Sequence, residues 1–76
     1  MEKLMVVDEK KNTYVFEKNG RITINNQFRG LGRLVSPLKE VALNQKLKFI
    51  LQEEGKERKL MTSPIRGCFL ADEESV

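Results

Sequence analysis

Two hairpin patterns and an apolar opening segment, in a chain of 76 residues, predict a small, mainly β domain. The first hairpin pattern spans 13–26 and turns around Asn19-Gly20. The second spans 46–64, turns at Glu53-Glu54-Gly55-Lys56 and is stopped by Pro64. About five or six short strands in so small a chain predict a curled antiparallel sheet or an SH3-like or OB-like barrel, because curling or closure hides strand edges. A domain of this size buries only ~60% of the surface its unfolded chain exposes, so its core is thin. The organisation expected is one β domain over 1–71, followed by an acidic, frayed tail at 72–76.

Residues 3–8 read as the first strand, with Leu4 and Val6 on one face and Met5 and Val7 on the other. Both faces are apolar, so the strand is expected to be largely buried. Residues 8–12, all polar, form the connection to the first hairpin.

In that hairpin, a two-residue Asn19-Gly20 turn would pair Val15 with Ile24 and leave Tyr14 and Phe16 on the opposite face. A loop of Lys18-Asn19-Gly20, with Gly20 left-handed in a bulge, pairs Phe16 with Ile22 and Tyr14 with Ile24 instead. A slip of one residue turns a whole strand over, and only the bulged register places all four apolar residues on one face. The bulged turn is therefore expected.

Residues 27–33 (QFRGLGR) read as a loop because of their two glycines, and 33–36 as extended, since a residue before proline avoids the helical region. Ser36 as N-cap and Pro37 at the first helical position predict a short helix near 37–43, although Val41 and Leu43 also alternate as in a strand. In the second hairpin, Leu47, Phe49 and Leu51 share a face. A Glu54-Gly55 loop pairs Phe49 with Leu60, and one more loop residue pairs it with Met61; the pattern leaves both open. Residues 65–70 form a last short strand.

The net charge of +3 is unevenly spread. From Arg21 to Lys48 there are six basic residues against Glu40 alone. Such a segment suits an anionic partner, but solvated charge also keeps small domains soluble. Cys68 is the single cysteine, so no intramolecular disulfide staples the fold, which agrees with a reducing compartment. No apolar run approaches the ~20 residues of a membrane span, and the N-terminal apolar stretch is too short for a signal peptide. A cytoplasmic location, without membrane association, is expected.

Chemistry is sparse. There is no histidine, the commonest general base and a frequent metal ligand. Cys68, between Gly67 and Phe69, reads as a small core residue rather than a nucleophile. The carboxylates have no Ca²⁺- or Mg²⁺-like spacing, and one cysteine without histidine argues against zinc. No catalytic residue, cofactor or metal is expected. Arg29-Gly30-Leu31-Gly32-Arg33 lacks the rest of a phosphate-binding fingerprint. As a basic segment carrying Phe28 it could contact a single-stranded nucleic acid; as a plain connection, Phe28 and Leu31 would fold into the core.

The function expected is that of a non-enzymatic binding module acting through protein–protein interaction or self-association. The alternative is a nucleic-acid-binding small barrel using the basic 21–48 region. The candidate contact residues are Arg29, Arg33, Lys46 and Lys48 for a basic surface, with Phe28 and Leu31 for an apolar one. Leu4, Ile50 and Met61 are candidates for surplus apolar surface outside a one-faced core.

Overall fold

A computed structural model describes residues 2–35 and 41–72. It contains seven strands: β1 (Glu2–Asp8), β2 (Thr13–Glu17), β3 (Arg21–Ile24), β4 (Gln27–Leu34), β5 (Lys48–Glu53), β6 (Lys56–Met61) and β7 (Ile65–Asp72). They make one antiparallel sheet in the order β6-β5-β4-β3-β2-β1-β7, which does not close into a barrel. The mainly β class and the curled sheet are as the sequence predicts.

Each hairpin has a turn that its residues explain. Tyr14 pairs with Ile24 and Phe16 with Ile22, the bulged register. The Gly20 amide donates to the Glu17 carbonyl at 2.9 Å, and Gly20 has φ +98°. The β5–β6 loop is Glu54-Gly55, both with positive φ, and Phe49 pairs with Leu60. Asn25 and Asn26 also have positive φ and form a third tight turn, between β3 and β4.

That turn corrects the reading of 27–33 as a loop. These residues lie in the eight-residue strand β4, paired with β3 on one side and β5 on the other. Gly30 and Gly32 are inner-face positions. A Cβ on Gly32 would run into the Ile50 carbonyl oxygen and lie 2.8 Å from Ile22 Cδ1; one on Gly30 would lie 2.6 Å from the Gln52 carbonyl oxygen. Glycine is present because two neighbouring strands press on β4 here. The expected helix near 37–43 falls partly outside the described residues. Within them, Val41–Leu43 is irregular and runs into a turn, and Asn44 has φ +67°.

The inner face carries the core: Leu4 and Val6, Tyr14 and Phe16, Ile22, Phe49 and Leu51, joined by Leu47 and Ile65. β2 and β5 are three strand spacings apart, about 14 Å in a flat sheet. Yet the rings of Phe16 and Phe49 lie 5.2 Å apart, edge to face, and Tyr14 and Phe49 lie 6.0 Å apart. The sheet therefore folds over its own inner face.

Topology demands the same bend. The two edge strands, β6 and β7, are joined only by Thr62, Ser63 and Pro64. Flat, these edges would stand about 29 Å apart, and such a link reaches about 14 Å at most. At that corner the chain laces the two edges together. Thr62 N–H donates to the Leu47 carbonyl at 2.9 Å, Ile65 N–H to Gln45 at 3.0 Å, and Asn44 N–H to Ile65 at 2.8 Å. Beyond Ile65, no strand among the described residues pairs with the outer side of β7.

Candidate interaction surface

The most deeply buried polar group is Asp8, which ends β1 with 1% of its surface exposed. Its Oδ1 accepts the amides of Asn12 (2.9 Å) and Lys10 (3.0 Å); its Oδ2 accepts the Tyr14 hydroxyl (3.0 Å) and, more weakly, Asn12 Nδ2 and the Ser63 amide (both 3.4 Å). Burial pushes this carboxyl's pKa up, but the hydrogen bonds from Asn12, Tyr14 and Ser63 outweigh it and hold the pKa below the ordinary value. Burial, together with the hydrogen bond and the charge of Asp8, pushes Tyr14 up to about 12. Asp8 thus ties the β1–β2 turn to the β6–β7 corner. Fully bonded and closed to solvent, it is a structural anchor. Sequence reasoning placed it in a polar connection and missed it, because Ser63 is 55 positions away in the chain.

The outer face is where the sheet departs from an ordinary solvated surface. Phe69, Met5, Val15, Thr23 and Phe28 are aligned directly across five consecutive strands, β7-β1-β2-β3-β4. Phe69 is 56% exposed and Phe28 53%, with Val7 also exposed beside Met5. The expectation that β1 is largely buried on both sides is corrected: Leu4 and Val6 are buried, and the Met5–Val7 side forms part of this open ribbon. Phe28 and Leu31 do not fold into the core either; both are more than half exposed on β4. Farther along, Val35, Ile50 and Met61 form a second apolar patch flanked by Lys48 and Lys59. Of the residues expected to be surplus to the core, Met61 is exposed, Ile50 half-buried and Leu4 buried.

The basic candidates are spread out. Arg29 lies at a bulge in β4 and donates to Glu53, 3.2 Å away, which also receives Arg58 at 3.1 Å. Arg33 faces Glu57 at 3.7 Å and Arg21 faces Glu17 at 3.8 Å. The Arg21 guanidinium also lies 4.2 Å from the centre of the Phe28 ring. Lys46 precedes β5, and Lys48 lies on the outer face of β5. The fold thus brings Phe28, Leu31 and Arg33 onto one face while setting three arginines of the basic segment beside glutamates of other strands, Arg33 reaching Glu57 across β5.

The two edges contrast sharply. β6 reads KERKLM, with four consecutive charged residues, a pattern that discourages strand addition. β7 reads IRGCFLAD, with charge only near its ends, and it exposes Phe69 on one face and Leu70 on the other. Cys68 is half-buried and packs against the core. Inside the open end of the curl, Leu4, Phe16, Ile22 and Leu34 floor a cleft of about 300 Å³ with Lys3, Lys18 and Arg33 on its rim.

Among the described residues, no three potential metal-ligating side chains come together, and no helix is long and apolar enough to cross a membrane. Compared with family models, curated proteins and solved structures, the chain finds no match.

Proposed function

We propose that this protein is a binding module whose partner is a protein, engaged through the edge of β7 and the apolar ribbon beside it. The observation that carries this reading is the alignment of Phe69, Met5, Val15 and Phe28 on the outer face of a sheet in which, among the described residues, no further strand lies beside β7. An extended strand added to β7 satisfies the open backbone groups, and its side chains cover Phe69 and Leu70. Exposed contiguous apolar surface of this kind marks interaction sites.

The alternative partner, a nucleic acid, draws less support, because Arg21, Arg29 and Arg33 each face a glutamate and the Phe28 ring is already approached by Arg21. Steeply salt-dependent binding to single-stranded DNA or RNA, weakened by Arg29→Ala with Arg33→Ala, would favour it. The protein reading is tested by Phe69→Lys, which places a charge on the β7 edge. The expected outcome is loss of self-association or of a specific partner, with the folded far-ultraviolet spectrum kept. Unaltered association of this variant would contradict the proposal.

A further inference from the structure

The geometry points to a small-molecule site inside the curl, on the face opposite the apolar ribbon, for a single hydrocarbon chain ending in a carboxylate. Leu70, Leu4, Phe16 and Ile22 lie directly across four neighbouring strands, β7-β1-β2-β3, on the inner face. Leu4, Phe16 and Ile22 are 7% exposed or less, whereas Leu70, in the same row, is 53% exposed. In the next inner row, towards the β6–β7 corner, Cys68 lies across from Val6 and packs against the core. Coverage of the inner face therefore ends at the Leu70 row. β4 completes the lining with Leu34 and with Gly32, which contributes no side chain. The result is a trough of about 300 Å³, at the small end of the range for ligand sites.

Two features select the occupant. β1, β2, β3 and β4 are each paired on both sides, so these walls offer no open backbone to an added strand, and what enters is held by its apolar contacts. The rim carries Lys3, Lys18 and Arg33 against one carboxylate, Glu17. Glu17 lies 3.8 Å from Arg21, a further cation outside the lining. Arg33 lies 3.7 Å from Glu57, but both side chains are more than half exposed, so the pair is weak and leaves Arg33 available to an anion. An apolar floor under an excess of cations complements a molecule that is apolar along its length and anionic at one end. A neutral alkyl chain leaves the rim charge unused. A sugar phosphate sets polar groups against Leu4, Phe16 and Leu70, where they find no hydrogen-bond partner.

Titration calorimetry of the full chain with octanoate and decanoate, each below its micelle concentration, tests the site. Affinity is expected to rise about fourfold per added methylene. Decanol is expected to bind more weakly than decanoate at low salt, by a margin that shrinks as salt is added. Leu70→Asp sets a carboxylate in the trough at an exposed position and is expected to lower decanoate affinity about tenfold or more. Lys18→Glu, on the rim, is expected to lower it about threefold and to leave decanol unaffected. Phe69→Lys, on the opposite face, is expected to leave decanoate binding unchanged, which separates this site from the β7 ribbon. In the wild type, decanoate is expected to shift the amide resonances of Leu4, Phe16, Ile22 and Leu70, a readout that needs no variant. Absence of saturable decanoate binding, equal binding of decanoate and decanol at low salt, or resonance shifts clustered on Val15, Phe28 and Phe69 overturns the site and leaves the protein-binding reading in place.

Discussion

Asp8 is a carboxylate enclosed by hydrogen-bond donors, with no ion-pair partner among the described residues, so hydrogen bonds stabilise its ionised form. Its pKa is lower folded than unfolded, which fixes the sign of its pH dependence. The stabilisation is present above the unfolded value of about 4 and is lost as pH falls through the folded value. Stability is therefore expected to decline on acidification below about pH 4, and Asp8→Asn is expected to flatten that decline, as thermal unfolding across pH would show. Asp8→Ala strands the Tyr14 hydroxyl and the backbone amides of Lys10, Asn12 and Ser63 and is expected to cost about 3 kcal/mol in denaturant unfolding. Tyr14 is the single tyrosine, so a spectrophotometric titration isolates it. Its midpoint is expected near about 12, and a midpoint at the ordinary 10.0 would mean the Asp8–Tyr14 bond does not persist. None of this was legible in the sequence: Asp8 looks like one more polar turn residue until the β6–β7 corner closes over it.

Among the strands, legibility followed how decisively the apolar residues chose a face. The β2–β3 register could be read because one alternative divides Tyr14, Phe16, Ile22 and Ile24 between faces and the other unites them. The β5–β6 register could not, because Leu60 and Met61 are both apolar and adjacent. There the turn decided, with Glu54 and Gly55 both left-handed. Glutamate pays a steric penalty at φ +51°, where asparagine is better tolerated. Glu54→Asn is accordingly expected to stabilise the fold by about 0.5–1 kcal/mol, seen as a rise in Tm. β4 was misread because Gly30 and Gly32 look like loop residues, when the same two glycines let Ile22 and β5 approach the strand. The missed signal was Asn25-Asn26, a pair suited to left-handed backbone. Gly32→Ala is expected to cost about 1–3 kcal/mol through overpacking against the Ile50 carbonyl and Ile22. No loss of stability would mean that the bend does not depend on this close approach.

For the molecule as a whole, a three-residue link between the edge strands forces the sheet to curl, and the curl buries one face only. The candidate surface was half visible beforehand. Phe28, Leu31 and Arg33 were singled out and do lie on the outer face, whereas Phe69, Met5 and Val15 acquire meaning only once five strands are in register. The basic segment 21–48 looked like a charge surface because the glutamates facing Arg21, Arg29 and Arg33, namely Glu17, Glu53 and Glu57, lie outside it in sequence.

The central claim is that the open edge of β7 is the contact surface, and amide hydrogen exchange tests it residue by residue. The Asp8 amide donates towards β2, so by alternation the Met5 amide faces β7; the Phe69 amide opposite it, bonded to β1, is expected to be protected at every protein concentration. The Cys68 and Leu70 amides are expected to exchange freely when dilute and to become protected as concentration rises. Cys68 and Leu70 amides that exchange equally fast at all concentrations, with added partner or without, would contradict the account.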